Sequence, residues 1–253
     1  MTRDVRVAVF RPDDERMAEA VELLDSLGAA PVPDPMLAVE PTGAVPDGAD
    51  DVPDPDIVVL TSKTGVELLA DAGWSPGEAT LACIGPRTAA AARDAGWTVD
   101  VVPEEYTSSG LVETRADEVD GRRVEVARSD HGSDVLLDGL RDAGADVHET
   151  VLYRLVRSEG SGQSTVMAAG GELDAVCFTS SLTVANFLDA ADERGVREEA
   201  VAGLNRAVVG VIGDPTRETA EGYGVRVDVV PENATFEELA TEVVETAAPT
   251  YHE

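Results

Sequence analysis

The six residues Val99-Asp100-Val101-Val102-Pro103-Glu104 recur as Val227-Asp228-Val229-Val230-Pro231-Glu232, a shift of 128 residues (227 − 99). Gly85-Pro86-Arg87-Thr88 and Gly213-Asp214-Pro215-Thr216 share that shift (213 − 85). Asp56…Thr61-Ser62 and Asp174…Thr179-Ser180 lie 118 apart (174 − 56), so one ten-residue insertion between Asp189 and Arg206 brings the halves into step. At the front of each half, Arg6-Val7-Ala8-Val9-Phe10-Arg11 resembles Arg123-Val124-Glu125-Val126-Ala127-Arg128, and Leu27-Gly28-Ala29 resembles Ala143-Gly144-Ala145. The pattern reads as an internal duplication with units of about 5–118 and 122–246. A long unit present twice argues against a solenoid, which needs several short units to build a continuous core.

Within each half, short apolar runs alternate with amphipathic ones. Strands are expected at 5–10, 56–60, 80–84, 98–102, 123–127, 174–178, 206–212 and 225–229. Helices are expected at 13–27, 63–72, 88–95, 109–118, 133–143, 182–194, 215–221 and 236–246, several closed by a glycine such as Gly28, Gly73 or Gly96. Continuously apolar strands alternating with helices imply an α/β fold with parallel sheets covered on both faces. Right-handed crossovers leave the strand C-terminal ends on one rim, where such sheets bind ligands. Ser62, Gly85, Ser180 and Gly213 fall on that rim.

Two segments at equivalent places break the alternation. Pro31, Pro33, Pro35 and Pro41 exclude a helix from 31–41. The stretch 146–156, with Val147, Val151, Leu152 and Tyr153, is rich in strand formers. Both read as extended connectors able to pair with each other.

Composition narrows the function. Hydrophobic residues are 43% of the 253, but aromatics only 4%, so the cores are aliphatic. Nineteen basic residues face fifty acidic ones, a net charge of −31, and Lys63 is the sole lysine. General nucleic-acid binding is not expected, because phosphate neutralisation needs a basic surface. The acids are dispersed rather than gathered in a tail, as expected of adaptation to a salt-rich cytoplasm. The first residues lack an apolar signal core and no apolar run reaches spanning length, so a soluble cytoplasmic protein is expected, with no membrane partner. Cys83 and Cys177 lie in apolar strands without CxxC spacing and read as small buried hydrophobes. His131, His148 and His252 are too scattered for a metal site.

Helix N-termini offer unpaired N–H groups and a positive dipole. Ser62, Thr88, Ser180 and Thr216 stand at or near such ends, with Arg11, Lys63, Arg87, Arg128 and Arg217 flanking the turns. In so acidic a chain, basic residues at this rim suggest a local anion site. The alternative for each hydroxyl is a helix cap, and for each basic residue an ordinary surface ion pair.

Taken in order, several of these pieces resemble the uroporphyrinogen-III synthase family. They are Arg11-Pro12 after the first strand, Val59-Leu60-Thr61-Ser62, Cys83-Ile84-Gly85-Pro86-Arg87-Thr88-Ala89, Val151-Leu152-Tyr153-Arg154, Phe178-Thr179-Ser180-Ser181, Val211-Ile212-Gly213-Asp214-Pro215-Thr216 and Ala234-Thr235-Phe236-Glu237-Glu238-Leu239. Phe10, where many relatives carry threonine, and Ser129-Asp130-His131 depart from the pattern. The resemblance implies two flavodoxin-like parallel-sheet domains, one discontinuous, joined by a two-stranded connector. The expected division is 1–31 with 157–253 as the first domain, 42–146 as an inserted second domain, and 32–41 with 147–156 as connector strands. If each connector crosses over, each domain combines parts of both halves, as in a fused, swapped pair.

The resemblance further implies a substrate, hydroxymethylbilane, a linear tetrapyrrole with eight carboxylates handed over by the preceding deaminase. The reaction is cyclisation with loss of water and inversion of the last pyrrole, without metal, nucleotide or redox cofactor, in a monomer. Tyr153 would be the catalytic residue, its phenol aiding departure of the hydroxyl. Arg11, Ser62, Lys63, Gly85, Thr88, Arg128, Ser180, Ser181, Gly213 and Thr216 would bind the substrate. The alternative for Tyr153 is a tyrosine packed on the connector ladder with its hydroxyl satisfied. His131 reads as a loop histidine. The competing reading of the whole chain is a non-catalytic intracellular two-lobe binding protein or sensor for a small anion.

One expectation follows from charge alone. The Debye length falls from about 10 Å at 0.1 M salt to about 3 Å at 1 M, so molar salt removes most repulsion between surface carboxylates. The thermal midpoint should rise as potassium chloride goes from tenths molar to several molar; melting curves that coincide would assign the acidity another cause.

Overall fold

The computed structural model describes residues 5–46 and 54–248. The chain divides into two compact units, Met1–Ala38 with Val156–Glu253, and Val39–Leu155. The discontinuous unit holds β1 (Val5–Val9), α1 (Glu15–Ser26) and β2 (Ala29–Pro33) from the start of the chain. The inserted unit follows with β3 (Ala38–Pro41), β4 (Ile57–Leu60), α2 (Lys63–Asp71), β5 (Thr80–Cys83), α3 (Pro86–Asp94), α4 (Ser108–Arg115), β6 (Arg123–Ser129), α5 (Asp134–Asp142) and β7 (Asp146–Val156). The chain then returns to the first unit through α6 (Gln163–Ala169), β8 (Ala175–Phe178), α7 (Ser181–Glu193), α8 (Arg197–Leu204), β9 (Val208–Val211), α9 (Asp214–Gly222) and α10 (Phe236–Ala247).

The first sheet runs β2-β1-β8-β9 and the second β3-β7-β6-β4-β5. The pairs β1·β2, β1·β8 and β8·β9 are parallel, as are β4·β5, β4·β6 and β6·β7. All four residues of β4 and of β8 are buried, as strands covered on both faces must be. The cores are largely aliphatic; Phe10, Phe178 and Phe187 form the one aromatic cluster of the discontinuous unit among the described residues, with centroids 4.8–5.8 Å apart.

Residues matched by the sequence repeat make matching bonds. The Asp56 carboxylate accepts the Arg123 N–H at 2.9 Å, and Asp174 accepts the Arg6 N–H at 2.9 Å. Asp100 accepts the Leu81 N–H at 2.8 Å, and Asp228 accepts the Val209 N–H at 3.0 Å. Each sheet thus joins a strand from the first half of the chain to one from the second.

The structure corrects the sequence reading in several places. Segments 98–102 and 225–229 are not strands; only Val101 and Val229 bridge their neighbours. The side chains of Asp100 and Asp228 occupy the N–H groups that a continued ladder would use, and Pro103 and Pro231 follow closely. Val32 and Pro33 belong to the edge strand β2, where a proline's missing N–H is tolerated. The connectors do pair, β3 beside β7, but β7 also pairs with β6 from Asp146 onward, so the ladder is continuous with the second sheet.

Helices α6 and α8 have no counterpart in the sequence reading. α8 occupies the ten-residue insertion. α6 starts after Gly162, which lies at φ 101° and offers no cap. Its cap comes from Asp34, only 4% exposed, whose carboxylate accepts the N–H groups of Gly162 and Ser164, both at 2.8 Å, and the Ser164 hydroxyl. The capping residue is remote in sequence, so no local pattern announces the helix. Losing a buried charged acceptor strands these donors. Asp34→Ala should therefore lower unfolding stability by about 2–4 kcal/mol in urea titrations at high salt. An unchanged midpoint would show that water replaces the carboxylate.

Candidate active site

In a parallel sheet every strand delivers its C-terminal loop to the same edge. In the inserted unit that edge receives Thr61-Ser62 after β4, Ile84-Gly85 after β5 and residues 129–133 after β6. Ser62 has extended backbone (φ −151°, ψ 150°) and its Oγ accepts the Gly65 N–H at 2.9 Å, which starts α2. A Cβ on Gly65 would meet Leu152 Cδ1 at 2.9 Å, so glycine here lets β7 approach α2 closely. The β6·β7 register slips between Arg128, opposite Val151, and Ser129, opposite Tyr153. The slip carries Tyr153 to the edge, where its hydroxyl donates to Ser62 Oγ at 3.0 Å. Tyr153 is only 6% exposed. Ser62 and Tyr153, with Ile84, Ser108, Arg128 and Gly132, border a pocket of about 210 Å³.

Arg128 lines this pocket, but its donors are turned toward protein. Nε meets Glu149 at 2.6 Å, Nη1 donates to the Ser133 carbonyl at 2.6 Å, and Nη2 lies 3.6 Å from Asp134. The guanidinium is buried and its charge matched, which fixes the 129–133 loop and the start of α5 against β7. A Cβ on Gly132 would sit 2.5 Å from Arg128 Cδ, so that glycine makes room for it. Lys63 is exposed and pairs with Glu67 at 3.1 Å, a surface pair that exchanges readily. Gly85 stands at the start of α3 without a side-chain cap, so the first N–H groups of that helix are left for other acceptors. Thr88, one turn on, is buried.

The remaining residues lie on the discontinuous unit. Ser180 makes a capping box with Thr183 at the start of α7. Ser181 donates to the Pro215 carbonyl at 3.0 Å. Gly213 opens α9 with extended backbone, and Thr216 is buried in its first turn. Arg217 pairs with Asp214 at 2.8 Å. The Arg11 guanidinium lies 4.3 Å from the centroid of the Phe236 ring, and its buried Nε has no hydrogen-bond partner. Burial, with Arg16 nearby, lowers its pKa from the ordinary arginine value. The residues singled out from sequence therefore form two sets, one at the strand ends of each unit.

The cysteines and histidines do not line this pocket. Burial pushes the Cys83 thiol up to about 11 and the Cys177 thiol to about 12, so neither forms a thiolate at neutral pH. His131 and His148 pair with Asp130 and Asp146 at 2.8 and 3.2 Å; His252 lies outside the described residues. Among the described residues no three His, Cys, Asp or Glu side chains gather to hold a metal ion. No described helix is long and apolar enough to cross a membrane.

Sequence reasoning passed over Tyr106. It sits on the same edge, its Cβ 3.4 Å from where a Cβ on Gly85 would be, and its side chain is exposed. It lies in a loop without periodicity, and the available signal was a difference: the repeat places Ala234 at the equivalent position.

The family model for uroporphyrinogen-III synthase matches residues 18–241, and the chain belongs to that family. A Methanothermobacter thermautotrophicus protein provisionally named uroporphyrinogen-III synthase is 35% identical over 244 residues, covering 92% of this chain and 95% of its own. The uroporphyrinogen-III synthase of Synechococcus elongatus is 26% identical over 239 residues, covering 90% of each chain. The crystal structure of a mutant uroporphyrinogen III synthase from Thermus thermophilus shares the fold, with a TM-score of 0.64 at 23% identity over 96% of this chain and 98% of that one.

Proposed function

We propose that this chain converts hydroxymethylbilane to uroporphyrinogen III, closing the macrocycle with inversion of the last pyrrole and loss of one water. The observation that carries the reading is the Tyr153–Ser62 pair at the pocket edge, within a chain of this family. The terminal hydroxyl leaves with a proton as water, and the electron pair of the adjoining pyrrole stabilises the cation left behind. The substituted carbon of the last ring then attacks, giving a spiro centre. One bond of that centre breaks and re-forms at the other position, and loss of a ring proton restores the pyrrole. The pyrroles supply every electron pair, so the enzyme's task is positioning.

Tyr153 is suited to the first step. Its hydroxyl already donates to a neutral oxygen, Ser62 Oγ, so exchange to a better acceptor, the departing hydroxyl, is favourable. Ser62 Oγ keeps the Gly65 N–H, and its own proton is available for a substrate carboxylate. The open N-terminus of α3 at Gly85 and the exchangeable Lys63 provide further anion donors on the same edge. Arg128 acts indirectly, by holding the pocket wall. The set of Arg11, Ser180, Ser181, Gly213 and Thr216 offers the discontinuous unit's own anion donors. A polyanionic substrate that closes spontaneously fits supply by the preceding deaminase in the cytoplasm.

Purified protein, given hydroxymethylbilane freshly made by that deaminase, should yield the type III isomer. Chromatography showing only type I, with the protein verified folded at high salt, would reject the reading in favour of a binding protein. Tyr153→Phe removes one hydrogen bond to a leaving group, about 1–3 kcal/mol, and should lower turnover roughly ten- to a hundredfold with folding nearly intact. Unchanged turnover would make Tyr153 structural.

A further inference from the structure

Among the described residues, Tyr106 is the most exposed large apolar side chain, at 61%, in a chain where only 4% of residues are aromatic. It precedes Thr107, whose Oγ1 accepts the Gly110 N–H at 3.0 Å and caps α4. An apolar residue at this place commonly packs back onto the helix four positions past the cap. That position is Leu111, which is buried, whereas Tyr106 points out to solvent. The equivalent loop of the other unit caps α10 with Thr235 and needs only Ala234 there. Capping therefore does not explain the ring.

The loop that carries it is tightly held. The Thr107 N–H donates to the Glu105 carbonyl at 2.8 Å. A Cβ on Gly110 would meet that carbonyl at 2.3 Å, so the loop lies directly on α4 because residue 110 is glycine. On its other side Tyr106 rests over Gly85, the residue that opens α3. The next residue but one, Ser108, borders the pocket that contains Tyr153 and Ser62. A rigid, two-torsion aromatic face thus stands in water beside a helix N-terminus, on the loop whose Ser108 borders the pocket of the tyrosine–serine pair. Such a face recognises a flat, electron-rich ring.

We propose that Tyr106 is a substrate-positioning residue whose ring stacks on a pyrrole of the linear tetrapyrrole while the adjoining α3 N-terminus takes one of that ring's two carboxylates. The proposal rests on the synthase reading. Stacking orders a chain of rings joined by freely rotating methylene bridges, and it binds ground state and transition state alike, so its loss appears in KM more than in kcat.

The test is steady-state kinetics of the full chain with enzymatically generated hydroxymethylbilane, with the isomers resolved by chromatography and melting curves taken alongside. Tyr106→Ala should raise KM about three- to tenfold, leave kcat within about twofold and keep the wild-type thermal midpoint. Tyr106→Phe, which keeps the face and loses the hydroxyl, should restore KM. An unchanged KM in Tyr106→Ala, with the wild type making type III, overturns the inference and leaves the synthase reading standing. A KM raised equally in Tyr106→Phe assigns the effect to the hydroxyl and also overturns stacking, as does a lowered midpoint in the alanine variant. Wild-type protein that makes no type III overturns the synthase reading and this inference with it.

Discussion

Parallel pairing of β1 with β8, and of β6 with β4, ties the two ends of the chain into one sheet and its middle into another. A parallel neighbour cannot be reached by a tight turn, so each pairing demands a long crossover, and both pairings join a strand of the first half of the chain to one of the second. The loops after β4, β5 and β6 converge because the strands run the same way. β7 is long enough to leave its partner's register at Arg128 and carry Tyr153 to Ser62. The start-of-strand bonds from Asp56 to Arg123 and from Asp174 to Arg6 pin both exchanged pairs at equivalent depth.

The site illustrates how charge and position separate in an acidic protein. Arg128 was a natural candidate for an anion, yet its fork is consumed by Glu149 and Ser133. Removing a buried pair's partner leaves an uncompensated charge, so such an arginine is kept for what it holds in place. The donors still open on the inserted unit are weaker individually: a serine hydroxyl, an exposed lysine and the first N–H groups of α3. On the proposed reading, a substrate with many carboxylates is held by several such groups at once.

The strands and most helices were legible because their signals are local. Continuous runs such as Ile57–Leu60 and Ala175–Phe178 declare buried parallel strands, and serine, threonine and glycine mark helix ends. The repeat made the swapped organisation an expectation before any coordinate. What escaped depended on partners far away in sequence. Helix α6 is capped by Asp34, the ladders expected at 98–102 and 225–229 were pre-empted by Asp100 and Asp228, and the fate of Arg128 was decided by Glu149. In the site, Tyr153 and Ser62 could be named but not joined, since their bond depends on a one-residue slip that no periodicity reveals. Tyr106 was missed because exposure, not sequence type, makes it unusual.

The central claim is that the strand C-terminal edge of the inserted unit, rather than some other surface of that unit, receives the tetrapyrrole. A second concavity of about 420 Å³, bordered by residues 75–80, 96–98 and Asp100 at the opposite edge of the same sheet, provides the internal comparison. Amide chemical shifts followed during titration with uroporphyrinogen III, kept reduced and at high salt, read the two edges in one experiment. The account predicts that, within the inserted unit, the largest changes fall on residues 61–65, 85–88 and 106–108, with residues 75–80 and 96–100 unmoved. Changes concentrated at 75–80 and 96–100, with Ser62, Gly85 and Tyr106 silent, would contradict it.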